Sequence, residues 1–137
     1  MSDETTEATR ATLERIFSSL EESGFGQPFL DVLSDDLVWT ATGSSPVAGR
    51  YEGKDVYIEQ VSSRLHERLG DVSLVPIVEK ILADGEWGCI KFRTEGVTAR
   101  NGADFSMQYC WVVKVDGDLI SEVIGHYDTK KMNDVFA

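Results

Sequence analysis

The chain has 137 residues, 42% hydrophobic and 27% charged, which suits one globular α+β domain spanning residues 1–137 around a single core. Its net charge is −11, and residues 1–36 carry nine acidic side chains against Arg10 and Arg15. Such a surface repels phosphate backbones and anionic membranes, and no run approaches the roughly 20 apolar residues of a membrane helix, so neither nucleic acid nor membrane is expected as a partner. The start, "MSDETTEATR", lacks the basic-then-apolar pattern of a secretory leader, and a cytoplasmic location is the expectation. Cys89 and Cys110 form no CxxC, and no histidine clusters with them. They read as reduced, half-buried strand residues, and no metal site is predicted.

In chain order, Ala11, Leu13, Ile16, Phe17 and Leu20 recur at three–four spacing and predict an amphipathic helix from about Thr5 to Glu22, stopped by Gly24. Pro28 suits the first turn of a short second helix carrying Phe29, Leu30 and Leu33. Asp35 and Asp36 end it, and "LVWTAT" begins a strand. The run "GSSPVAGRYEG" is turn-rich, with an extended piece near Val47 and Tyr51. A third helix follows from about Lys54 to Leu69, with Ile58, Val61, Leu65 and Leu69 as its buried stripe. Tyr57, Gln60 and Arg64 form its other flank, which faces either solvent or the mouth of a cavity; His66 reads as solvated.

From residue 72 the character changes. "VSLVPIVEKILAD", "EWGCIKFRTEGVTA", "DFSMQYCWVVKV" and "LISEVIGHYD" are β-branched and aromatic runs separated by "DGE", "RNG" and "DGD", the signature of antiparallel hairpins. Helices first and a strand meander last predict helices packed on one face of a curved sheet. Last, Met132, Val135 and Phe136 have helical spacing in "TKKMNDVF".

With "SDDLVWTATG", "GRYEGK" ahead of the third helix and the closing "VDGDLISEVIGHYDTKKMNDVF", the chain resembles the SnoaL-like, ketosteroid-isomerase-related branch of the nuclear transport factor 2-like superfamily, from about Thr6 to Phe136. That resemblance implies a cone: a strongly curved mixed or antiparallel sheet wrapped against the amino-terminal helices, enclosing an apolar pocket. It also implies a homodimer built back to back through the outer sheet face, where Cys89, Lys91, Arg93, Ser106, Gln108, Cys110 and Val112 fall. Members include isomerases, polyketide cyclases, epoxide hydrolases and dehydratases, along with proteins that only bind or dimerise, so the fold leaves the function open.

Alternation combined with the family pattern turns Trp39, Ala41, Ile90, Phe92, Thr94, Phe105, Met107, Tyr109, Trp111, Val123 and Gly125 inward. The position matching the carboxylate base of ketosteroid isomerases is Ala41. The positions matching the tyrosine and asparagine of limonene-epoxide-hydrolase-like members are Trp39 and Ala41. Those matching their arginine and two carboxylates are Phe92, Thr94 and Gly125. No proton shuttle is built from such residues.

The remaining lining, Trp39, Tyr51, Tyr57, Phe92, Thr94, Met107 and Tyr109, suits a small apolar molecule held by one or two hydrogen bonds, without metal or organic cofactor. His126 and Asp128 are the acid–base candidates for an isomerase, cyclase or lyase, with Tyr109 and Thr94 orienting the substrate. Against this, Asp128 stands where a helix N-cap belongs, and a carboxylate engaged by backbone N–H groups makes a poor base. His126 has the parity of the outer face. The alternative is a non-catalytic dimeric binding or assembly module.

Overall fold

The structure is a computed structural model and describes residues 2–71 and 74–137. Met1, and Val72 and Ser73 at the head of the run "VSLVPIVEKILAD", lie outside those residues.

Helix α1 (Ser2–Ser23) buries Thr9, Thr12, Leu13, Ile16, Phe17 and Leu20 along one side. The stripe keeps the predicted spacing, but Ala11 is exposed and the two threonines take its place. This face lies across strands β3 (Ile77–Asp84) and β4 (Trp87–Arg93). Thr6 and Thr9 give the helix its polar anchorage. Thr9 Oγ1 donates to the Gly85 carbonyl at 2.7 Å, and Gly85 N–H donates to Thr6 Oγ1 at 2.8 Å, so the β3–β4 turn is clasped to the helix. Close approach depends on Gly88: a Cβ there would fall 2.3 Å from Leu13 Cδ1.

Helix α2 (Gln27–Asp31) has proline in its first turn, as predicted. Strand β1 (Leu33–Ala41) starts sooner than its sequence suggests and runs through Asp35 and Asp36. Aspartate is poorly suited to strands. Here both residues are exposed, at a register shift against β6 between Leu33 and Val38, so neither has to pack on a regular ladder. Strand β2 (Gly49–Glu52) follows.

The expected third helix comes in three pieces: α3 (Lys54–Tyr57), a π-helical turn (Ile58–Ser62) and α4 (Ser63–Leu69), closed by Gly70 at φ 77°. Strands β5 (Gln108–Asp116) and β6 (Leu119–His126) lead into helix α5 (Thr129–Val135).

The six strands form one sheet in the order β2-β1-β6-β5-β4-β3. The β1–β6 pair is parallel and the other neighbours are antiparallel. Register shifts at Val78/Lys80 and Lys114/Val115 add local twist, and the sheet is curved but unclosed. Burial alternates strictly along β4 and β5. Ile90, Phe92, Tyr109, Trp111 and Val113 face the helices, while Cys89, Lys91, Cys110 and Val112 stay on the half-exposed outer face.

Candidate functional site

A hollow opens where one cross-strand row runs out of bulk. Ala41 pairs with Gly49 on one side and Gly125 on the other, and Gly125 pairs with Trp111. Directly paired residues share a face, so a near-bare stretch of sheet lies beside an indole. The Trp111 Nε1 atom sits 3.4 Å from where a Gly125 Cβ would be. The resulting cavity measures about 500 Å³.

Aromatic rings wall it. Trp39 lies against Tyr57 at 4.2 Å between centroids and 31° between planes. Phe92 and Tyr109, direct partners across β4–β5, stack at 4.6 Å and 7°. Trp111 stands edge-on to Trp39 at 5.1 Å and to Phe92 at 5.0 Å. These are the offset-stacked and edge-to-face arrangements that ring quadrupoles favour. Ile58, Val61, Leu65 and Leu69 form the helical wall, and Met132 of α5 closes one end.

The π-helical turn has a local consequence. It widens the helix to an i→i+5 repeat, and Tyr57 and Ser62 are five apart and interact through their side chains. Both line the cavity, so the widened turn sets a hydroxyl pair into an otherwise apolar helical wall.

The polar groups inside are neutral. Burial pushes the phenols of Tyr57 and Tyr109 well up, only partly offset by hydrogen bonding to Ser62 and Thr94 respectively; nearby Tyr127 adds to the rise at Tyr109. At neutral pH both phenols therefore act as donors and not as bases. Thr94 Oγ1 accepts from Met107 N–H at 3.2 Å and reaches the Phe105 carbonyl at 3.4 Å. Tyr127 shares a 2.9 Å hydrogen bond with Ser45. Among the described residues the indole N–H groups of Trp39 and Trp111 have no hydrogen-bond partner, yet neither nitrogen is sealed from solvent-sized space. Among the described residues no Asp, Glu, Lys or Arg lines the cavity, and no group of His, Cys, Asp and Glu is arranged to hold a metal ion. The exposed lining residues Gly26, Gln27, Ser63 and His66 mark its open side, so His66 borders the mouth.

Of the residues expected at the site, Trp39, Tyr57, Phe92, Thr94 and Tyr109 line this cavity together. Four others stand outside its lining. Tyr51 turns its hydroxyl to the Val47 and Ala48 carbonyls at 2.9 and 3.3 Å. Met107 is buried but precedes β5 and borders a second, polar groove with Arg93, Glu95, Asp128 and Lys131. His126 is exposed on the outer face, its Nδ1 3.3 Å from Thr42 Oγ1. Asp128 caps α5, accepting from the Lys130 and Lys131 N–H groups at 3.0 and 3.2 Å. The outer-face parity of His126 and the capping reading of Asp128 describe these positions; the acid–base pairing does not.

Sequence reasoning missed Tyr127, although the alternation that turns Val123 and Gly125 inward continues to it one step past the strand. It also missed Phe25 and Phe29, which enter from the α2 side, and His66, one helical turn beyond Ser62.

Removing the cap should loosen α5 alone. Asp128→Ala is expected to cost about 1 kcal/mol, lowering the urea midpoint with an unchanged slope, because Met132 and Val135 still pack beneath the helix. A loss of several kcal/mol would show that Asp128 does more than cap.

A model of the SnoaL-like domain matches residues 6–123. Among solved structures, a protein from a soil-derived mobile gene cassette aligns with TM-score 0.74 at 15% identity, over 97% of this chain and 99% of that one. A nuclear transport factor 2-like protein from Burkholderia thailandensis aligns with TM-score 0.75 at 18% identity, over 95% and 98%. A Kribbella flavida protein named as a proposed ketosteroid isomerase aligns with TM-score 0.61 at 21% identity, over 93% and 82%. At these identities the likeness is one of fold. No curated protein matches the sequence. The chain belongs to the SnoaL-like domain family.

Proposed function

We propose that this SnoaL-like chain binds a small, neutral, largely aromatic or apolar molecule that carries a hydrogen-bond acceptor. The observation behind this reading is the composition of the lining: aromatic walls, buried phenols and two unpartnered indole donors, with no charged carboxylate or cation among the described cavity residues. An apolar ring system displaces water from the walls, and a carbonyl or ether oxygen satisfies donors that the protein leaves open. A carboxylate ligand would have to leave water with no cation to meet it, which is strongly unfavourable.

Binding is preferred over an isomerase, cyclase or lyase activity on the same grounds. Those reactions move a proton at the bound substrate, and the phenols, raised by burial, do not accept one at neutral pH. Turnover would have to draw on His66 at the mouth.

The test uses the cavity's own tryptophans. Titration with 2-acetylnaphthalene is expected to quench Trp39 and Trp111 saturably, over a constant background from Trp87 on the outer face. 2-Naphthoate, of similar size but anionic, should bind at least about tenfold more weakly. Absence of saturable quenching by the ketone would overturn the binding reading, and equal affinity for the two would overturn its neutral-ligand clause.

A further inference from the structure

On the sheet face opposite the cavity, Cys89 of β4 and Cys110 of β5 hold their sulfurs 3.3 Å apart. They are diagonal neighbours in the ladder: Cys89 pairs with Val112, and Cys110 pairs with Lys91. Both are free thiols and both are half-buried at the protein surface. Twenty residues of sequence with no shared motif separate them. Strand pairing makes them a dithiol.

We propose that Cys89 and Cys110 are a redox modification site, which a low-molecular-weight disulfide such as oxidised glutathione converts to an intramolecular disulfide between β4 and β5. The sulfurs are already in contact at 3.3 Å and have to close to a bonded separation of about 2 Å. Burial, then the hydrogen bond and charge of the neighbouring Cys110 sulfur, push the Cys89 thiol up to about 11.

One cysteine of the pair loses its proton to solvent and, as the thiolate, attacks one sulfur of the reagent. That sulfur–sulfur bond breaks, one thiolate leaves, and the cysteine carries a mixed disulfide. The other cysteine then loses its proton to solvent and attacks the neighbouring cysteine's sulfur, expelling the second thiolate. One reagent disulfide is reduced to two thiols as the pair is oxidised by two electrons, and the two cysteine protons balance the two released thiolates. The new bond ties together the strands whose inner faces carry Phe92, Tyr109 and Trp111, so it braces the back of the cavity wall.

The experiment incubates the folded chain with oxidised glutathione, then unfolds and alkylates it, and reads intact mass and linked peptides. The expected product has lost two hydrogens and both alkylation sites, with a Cys89–Cys110 linked peptide. Cys89→Ser and Cys110→Ser should each stop at one glutathionyl adduct on the remaining cysteine, with circular dichroism confirming that both variants fold. Two alkylatable thiols after incubation, stable mixed adducts on the unsubstituted chain, or a disulfide joining two chains would each overturn the proposal.

Discussion

Phe17→Ala is expected to cost about 3–5 kcal/mol of folding stability, read as a lower urea midpoint at unchanged slope and a melting temperature down by roughly 10 °C or more. Phe17 is 0% exposed and reaches the sheet from the centre of α1. Its ring meets Phe92 at 5.7 Å, Trp111 at 6.2 Å and Phe25 at 6.4 Å. It does not line the cavity, so its removal opens a void with no ligand to fill it and withdraws support from three rings that do. The clasp through Thr6, Thr9 and Gly85 ties the first turns of the helix to the β3–β4 turn. A cost below about 1 kcal/mol would mean that α1 shifts to close the void, and that the aromatic cluster is softer than its packing implies.

Much of this architecture is written in periodicity. The three–four spacing of Leu13, Ile16, Phe17 and Leu20 and the two-residue alternation of Ile90, Phe92, Tyr109 and Trp111 each specify a buried face, because a shift by one residue would turn all of those side chains into water. What stays illegible arises where the period breaks. Asp35 and Asp36 read as a helix stop, yet a register shift carries the strand past them. The π-helical turn has no composition of its own in "IEQVS", and it decides how Tyr57 and Ser62 meet. Met107 keeps inward parity but precedes the first paired residue of β5, so parity puts it in the core without bringing it to the cavity. Cys89 and Cys110 become neighbours only through a diagonal of the ladder, which depends on register and not on residue type.

The cavity exists because small residues occupy positions where other chemistry would need large or charged ones. Ala41 and Gly125, adjacent across β1 and β6, stand at the positions where the family resemblance looks for carboxylates. With those side chains absent, the space is left to the rings of Trp39, Trp111 and Tyr109. The small side chains at Ala41 and Gly125 thus leave a neutral, donor-bearing hollow beside these rings.

Ala41→Phe should therefore separate the two roles of this region. The Ala41 side chain faces the cavity between Gly49 and Gly125, and the about 500 Å³ of space is large enough to take a phenyl ring without forcing the strands apart. Affinity for 2-acetylnaphthalene is expected to fall by at least about 100-fold, while stability moves by no more than about 1 kcal/mol in either direction, since new ring contacts offset local strain. That combination is opposite to the one expected for Phe17→Ala, where stability falls steeply because the lost ring was already packed. Unchanged affinity in Ala41→Phe would place the ligand elsewhere on the molecule. A loss of several kcal/mol would mean that the hollow is closed by motion of the helical wall, with the π-helical turn at Ile58–Ser62 as the segment to follow by hydrogen exchange.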